Sequence, residues 1–174
     1  MVSPPKQWLI RAKPHKLELS GCTLADMHFH SKFSEDGLRG IGPILKKCRK
    51  LGVGIAITDH NTIRGSLEAL KDKDAFVVPG VELTSKEGVH ILAYTYSRSA
   101  LLDLDRFCIK PFRHKSPMVL NVSLKELLCR LERLDCLVGA AHPYFSFTGL
   151  QTSELGVSFV KKIDFVEVLN RSSF

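Results

Sequence analysis

Apolar residues in this chain follow two periods, one typical of strands and one typical of helices, and the two alternate along most of the sequence. Residues 53–57 form a continuous apolar run, as expected of a strand that is buried on both faces of a sheet. Five further strands are predicted, at about residues 23–28, 75–82, 89–96, 136–141 and 163–169.

Helices are predicted between most of these strands. The clearest follows Ser123, which stands at a capping position with Glu126 three residues later and leucines at helical spacing beyond it. Another helix has Pro43 near its first turn and ends at Gly52. The remaining helices are predicted at about residues 63–71, 99–108 and 153–162.

Strands and helices that alternate in this way predict an α/β fold with a parallel sheet and right-handed crossovers. An open doubly wound sheet and a barrel are both compatible with the pattern. The barrel is favoured because candidate functional residues follow nearly every strand, whereas a doubly wound sheet places its site at one switch point. We expect residues 21–174 to form this single domain. Residues 1–20 contain three prolines and are expected to form an irregular basic arm.

Composition narrows the classes of protein. The formal net charge of +7 suits anionic partners such as phosphate esters or nucleic acid, although such a charge is also common on solvated surfaces. Five cysteines, an odd number without a Cys-x-x-Cys pair, indicate reduced thiols and a cytoplasmic location. Since no apolar run approaches the roughly 18 residues that span a bilayer, we expect no membrane partner.

Candidate ligands for a metal ion recur at the strand ends. The motifs are Asp26-Met27-His28-Phe29-His30, Thr58-Asp59-His60, Gly80-Val81-Glu82, Val89-His90 and Ala141-His142-Pro143. Because side chains alternate along a strand, His28 and His30 point to the same side. Each motif alone is compatible with an ordinary core or surface residue. Together, imidazoles and a carboxylate at one end of a sheet indicate a cluster of zinc, manganese or iron ions.

The carboxylates in these motifs have distinct expected roles. Glu82 and Asp59 are the candidate catalytic residues. Glu82 is a candidate because one carboxylate can bridge two cations. Asp59 is a candidate because a polar group that ends a buried strand is costly unless it is paired or ligated. Asp26 is a candidate for orienting an imidazole through a hydrogen bond. His15 and His114 lie outside the pattern and receive no role.

The order of these motifs resembles the PHP (polymerase and histidinol phosphatase) family, from about Leu24 to Asn170, with an especially close match at residues 57–62. The resemblance implies a distorted seven-stranded β/α barrel that holds two or three divalent metal ions. It also implies hydrolysis of phosphoesters by a metal-activated water. The implied metal ligands are His28, His30, Glu35 or Asp36, His60, Glu82, His90 and His142.

Two features depart from the family pattern. The family usually has Ser-Asp-Gly after the first histidines, whereas this chain has Ser34-Glu35-Asp36-Gly37, so both acids remain candidates. The family also has an Asp-x-His near its C-terminus, and none follows the last predicted strand in this sequence. We therefore expect a barrel that is incomplete at its C-terminus. Its last strand would be open at the edge, through which copies of the chain could associate.

Three functions are compatible with these observations. The first is a metal-dependent phosphoesterase that acts on a phosphorylated small molecule, and the second is a nuclease that acts on RNA or DNA ends. The third is a catalytically silent module that binds metal or nucleic acid. The absence of Asp-x-His favours the silent module. The retained histidines favour an enzyme, because a module without a site has no use for so many polar groups at strand ends.

Overall fold

The fold is known from a computed structural model, which describes residues 24–145, 148–150 and 160–168. The predicted arm at residues 1–20 lies outside the described residues, as does most of the predicted helix at residues 153–162. The strands are β1 (Ala25–Phe29), β2 (Gly54–Ile57), β3 (Val77–Thr84), β4 (His90–Thr95), β5 (Cys136–Ala140) and β6 (Phe165–Val166). The helices are α1 (Ile41–Leu51), α2 (Arg64–Ala69), α3 (Arg98–Leu104) and α4 (Leu124–Leu131). A π-helical turn at Asp105–Ile109 and 3-10 turns at Lys110–Phe112 and Val160–Lys162 complete the described elements.

The six strands lie side by side in chain order, which confirms the α/β class. Strands β1, β2 and β3 are parallel, and so are β5 and β6, but β4 runs antiparallel to both of its neighbours. The prediction of an all-parallel sheet is therefore wrong for β4. The chain returns from β3 through residues 85–89, where Gly88 has φ +84°. Such a connection is too short for a parallel crossover, which needs about a dozen residues or more.

Side chains on the strands alternate between a face covered by helices and a concave face. In β4, Ile91 and Ala93 join the main core with α3 and α4, while Leu92 and Tyr94 face the other side with Phe165. Helix α1 packs its buried residues on β2. The helices therefore leave the concave face free to carry a site.

The sheet is curled like part of a barrel. The Tyr94 hydroxyl on β4 donates to the backbone carbonyl of Met27 on β1. Glu167, just after β6, contacts His28 on β1. Within the described part of the chain β1 and β6 form no ladder with each other, so the strands make an open half-barrel, as expected of an incomplete barrel.

The last strand is shorter than the sequence predicts. Among the described residues 160–168, Phe165 and Val166 alone are in strand conformation, and the side chains of Val166 and Val168 are exposed. An acid flanks the strand on each side. Asp164 accepts a hydrogen bond from the backbone N–H of Val138, and Glu167 turns toward the concave face.

Helix α4 shows how closely local chemistry follows the sequence. The Ser123 hydroxyl accepts from the backbone N–H of Glu126 at 3.2 Å, as a cap should. The reciprocal half of the capping box does not form among the described residues, because the Glu126 carboxylate pairs with Arg130 one turn later. No helix in the described part of the chain is long and apolar enough to cross a membrane.

Candidate metal centre

The strand-end motifs meet at one end of the half-barrel. β1, β2 and β5 finish at this end with His30, His60 and His142, and Glu82 lies near the end of β3. Because β4 runs in the opposite direction, it starts where its neighbours finish, and this places His90 in the same layer. The reversed strand therefore preserves the convergence that the sequence predicts.

Glu82 is at the middle of the cluster and its side chain is fully buried. Its Oε2 lies 3.2 Å from Nε2 of His28, 2.9 Å from Nε2 of His30 and 3.3 Å from Nδ1 of His60. The Nε2 atoms of His28 and His30 are themselves 3.1 Å apart. One carboxylate oxygen therefore faces three imidazoles whose ring nitrogens point at a common volume.

The other oxygen of Glu82 faces a second pair of imidazoles. Oε1 lies 3.1 Å from Nδ1 of His90 and 3.4 Å from Nε2 of His142, yet it has no hydrogen-bond partner among the described residues. A buried carboxylate oxygen without a hydrogen bond is costly unless a cation compensates it. This oxygen is therefore evidence that the cluster fits a metal ion.

The structure separates the two acids that the sequence left open. Oδ2 of Asp36 lies 2.7 Å from Nδ1 of His30 and 3.5 Å from Nε2 of His60. Glu35 is exposed to solvent and makes no contact with the cluster among the described residues. Burial opposes the charge on Asp36, but its hydrogen bonds to the two imidazoles hold the pKa of the carboxyl well below its usual range.

The same contacts control the charge of the cluster. Burial alone would lower the pKa of His28, but Glu167 and Glu82 raise it to about 10. For His30, Asp36 and Glu82 likewise outweigh burial and raise the pKa to about 9. For His90, burial prevails over Glu82 and lowers the pKa. In the metal-free protein the raised pKa values favour the protonated, cationic forms of His28 and His30 at neutral pH.

Three groups of side chains have ligand atoms close enough for one ion, all within 4.8 Å of one another. They are His28, His30 and Glu82; His30, Asp36 and His60; and His60, Glu82 and His90. A neutral imidazole has one free lone pair, so a histidine serves one ion at a time. The first and third groups share only Glu82, whose two oxygens can each bind one ion. The donor set thus fits two ions that are held simultaneously.

Glu167 is a site residue that belongs to none of the strand-end motifs. Its Oε1 is 3.0 Å from Nδ1 of His28, and its Oε2 accepts from the backbone N–H of His142 at 2.7 Å. A carboxylate on the second nitrogen of a metal-ligating imidazole fixes the ring and its tautomer. The sequence assigned this orienting role to Asp26, but Asp26 accepts from the backbone N–H of His28 instead.

Asp59 does not reach the cluster. Its Oδ1 accepts from the backbone N–H of Ser31 at 2.6 Å and its Oδ2 accepts from the Ser31 hydroxyl at 2.8 Å. Gly65 allows this packing, because a Cβ there would collide with both groups. The carboxylate ties the end of β2 to the residue that follows His30. This position suits a residue that holds the ligands in place.

His142 is held in an uncommon backbone conformation with φ +26°. The Thr148 hydroxyl lies 3.2 Å from its Nδ1, and the Thr148 carbonyl accepts from the backbone N–H of His90.

The side chains of the cluster open into a cavity of about 1170 Å³, whose apolar wall includes Leu92 and Phe165. The cavity gives a substrate access to the buried ligands.

Comparison with known proteins identifies the family. Residues 26–139 match the PHP domain, which is well over half of the chain, and the protein belongs to the PHP domain family. The resemblance that the strand-end motifs indicate is confirmed.

Individual proteins resemble this chain in sequence or in fold. An uncharacterised protein of Methanocaldococcus jannaschii is 40% identical over 78 residues, which covers 37% of this chain and 46% of the relative. The aligned region thus spans about half of that relative's length. A solved structure from Bifidobacterium adolescentis, assigned as a metal-dependent phosphoesterase, has a TM-score of 0.61 at 19% identity, covering 83% of this chain and 77% of its own. Endonuclease Q, solved with a duplex that carries an abasic lesion, has a TM-score of 0.68 at 21% identity, covering 82% of this chain and 41% of its own.

Proposed function

We propose that the protein is a metal-dependent phosphoesterase. The observation that carries the proposal is the fully buried Glu82, with five imidazoles within 3.4 Å of its two oxygens and one oxygen lacking a hydrogen bond. Phosphoesterase relatives share the fold. When divalent ions are bound at such a centre, they polarise phosphoryl oxygens and lower the pKa of a water molecule.

The residues of the chain have separate tasks in this proposal. Glu82 would help to hold two ions, one with His28 and His30 and the other with His60 and His90. His142, which lies beside Oε1 of Glu82, would add a further nitrogen. Asp36, whose side chain is partly exposed, would complete the set beside His30 and the buried His60. A set of ligands that combines imidazole nitrogens with carboxylate oxygens suits zinc, manganese or iron.

Further residues hold the ligands in position. Glu167 fixes the ring of His28, and Thr148 fixes the ring of His142. Asp59 is proposed to act in the same indirect way through Ser31, rather than as a group that touches the substrate.

The cysteines Cys48, Cys108, Cys129 and Cys136 are free thiols, which supports a reducing, cytoplasmic environment.

Hydrolysis of a chromogenic phosphate monoester tests the proposal. We expect turnover that increases on addition of manganese, stops on chelation and is lost in Glu82→Gln. Glu35→Gln is the matched control, because it removes an exposed carboxylate outside the cluster and should retain activity. Turnover that survives both chelation and Glu82→Gln would assign the activity to another site. Metal binding without turnover on any phosphoester would support the silent module instead.

A nuclease is the second candidate. It is supported by the open cavity, by the net charge of +7 and by the fold shared with endonuclease Q. Binding of a single-stranded oligonucleotide should then weaken steeply with salt, by about 0.7 in log affinity per log salt for each phosphate contacted. Binding that is insensitive to salt would exclude this candidate.

A further inference from the structure

Strand β1 is irregular at the point where it delivers His28 to the metal centre. Asp26 is the register partner of Ile55 in β2. The next partners are Phe29 and Ile57, so three steps along β1 match two steps along β2. One extra residue on one strand is a β-bulge, which interrupts the ladder of backbone hydrogen bonds and re-aims side chains. The bulge therefore lies directly beside the first candidate ligand.

The peptide group between Met27 and His28 lies in this bulge, and two side chains hold it. Neither residue has a register partner in β2 among the described pairs. The carbonyl of Met27 accepts from the hydroxyl of Tyr94 on β4 at 2.5 Å. The N–H of His28 donates to Oδ1 of Asp26 at 3.2 Å. Both polar groups of the peptide are therefore satisfied by side chains at the place where the ladder is broken.

The ring of Tyr94 is packed so that its hydroxyl reaches across the half-barrel. The side chain is buried, and its ring stacks on that of Phe165 with the centroids 5.4 Å apart. Gly80 is its register partner on β3 and leaves room for the ring, because a Cβ there would lie 2.8 Å from Cδ1 of Tyr94. Burial and the charge of Glu167 raise the pKa of the hydroxyl, so it stays a donor at neutral pH.

His28 depends on this support because β1 is an edge strand of the described sheet, paired on one side with β2. The ring of His28 contacts Glu167 through Nδ1, and its Nε2 lies 3.2 Å from Oε2 of Glu82. The ring is attached to the backbone of the bulge. A rotation of the Met27–His28 peptide would therefore move Nε2 away from the volume that it shares with Nε2 of His30.

We propose that Tyr94 is a positioning residue for His28. Its hydroxyl sets the orientation of the Met27–His28 peptide and so prepares the ion site that His28, His30 and Glu82 form. This inference rests on the proposed function, because it assumes that ions bind to the cluster. A group that orients a metal ligand through a hydrogen bond controls metal affinity by about 10–100-fold without touching the ion.

The two candidate ion sites that share Glu82 allow a selective test. One site uses His28, His30 and Glu82, and the other uses His60, Glu82 and His90. His90→Ala should therefore leave an ion at the first site, and His28→Ala should leave an ion at the second site. Each of these single-site proteins then reports on one ion.

Titration calorimetry of each single-site protein with zinc, with and without Tyr94→Phe, tests the inference. The substitution removes the hydroxyl and keeps the ring that stacks on Phe165. In His90→Ala, where His28 holds the ion, Tyr94→Phe should lower the affinity by about tenfold or more. In His28→Ala the same substitution should leave the affinity unchanged.

Tyr96→Phe is the matched control, because it removes an exposed hydroxyl two residues further along the chain. It should change neither affinity. Asp26 provides an independent test at the other end of the peptide. Asp26→Ala removes the acceptor and should weaken the site that contains His28. Asp26→Asn keeps an oxygen that can accept, so it should restore part of that affinity.

The visible absorption of bound cobalt gives a second readout, because it depends on the geometry of the ligands. In His90→Ala the cobalt spectrum should change with Tyr94→Phe and not with Tyr96→Phe. None of these measurements needs turnover, so they stand apart from hydrolysis.

Two results would overturn the inference while the metal centre stands. Equal weakening of both sites by Tyr94→Phe would indicate a general loss of stability instead of a positioned ligand. Unchanged affinity in His90→Ala would show that the hydroxyl is dispensable. If neither His90→Ala nor His28→Ala bound an ion, the proposed function would fail, and this inference with it.

Discussion

Replacing Glu82 with glutamine is the sharpest test of the metal centre. The substitution keeps the shape of the side chain but removes its charge from among five imidazoles that lie 2.9–3.4 Å away. Glu82 belongs to both of the candidate ligand groups that can be filled simultaneously. Removing even a residue that only orients a ligand costs about 10–100-fold in metal affinity. Losing a direct ligand should therefore cost each ion at least about 100-fold.

The assay is metal counting after dialysis against a weak competing chelator. Native protein reconstituted with zinc or manganese should retain two equivalents, and Glu82→Gln should retain less than one. Asp36→Asn removes a carboxylate that neither of these two groups uses, so it should weaken binding without the same loss. Circular dichroism of the metal-free variants would verify that they fold. If Glu82→Gln retains both ions with native affinity, the proposed bridging role is wrong.

Three further outcomes follow from contacts around the cluster. Asp59→Asn should lower metal affinity about 10–100-fold by loosening Ser31, without changing the number of ions, as isothermal titration would show. In metal-free protein the pKa values of His28 and His30 are raised to about 10 and about 9. Because a metal ion must displace these protons, its affinity should rise from pH 7 to pH 9. Calorimetry in two buffers should detect the released protons. An affinity that does not depend on pH would refute this prediction. Gly65→Ala should destabilise the fold by about 1–3 kcal/mol in urea unfolding, because its Cβ has no room beside Asp59.

Much of this architecture is readable from short stretches of sequence. Residues 54–57 of the apolar run at 53–57 form a fully buried strand, and the cap at Ser123 formed as predicted, since both depend on neighbouring residues alone. The motifs at strand ends were sufficient to bring His28, His30 and Glu82 together, because alternation and strand direction fix where such side chains point.

Long-range contacts were not readable. Glu167 contacts His28 although the two are 139 residues apart in the sequence, and no neighbouring residue of either one predicts the pairing. The direction of β4 depends on the connection at residues 85–89, which is too short for the crossover that an all-parallel sheet would need. The choice between Glu35 and Asp36 depends on how tightly the turn packs, since a Cβ at Gly37 would collide with the backbone of Ser31.

The order of the strands has a consequence for how the protein is made. Each strand pairs with the strand synthesised just before it, so the sheet can grow from one edge as the chain leaves the ribosome. Both ligand groups that share Glu82 lie between residues 28 and 90, and they are complete once β4 has formed. Ions captured at that stage would stabilise a nascent half-sheet, because they bind the folded segment and not the unfolded one. His142 and Glu167 would then be added to a centre that already holds metal.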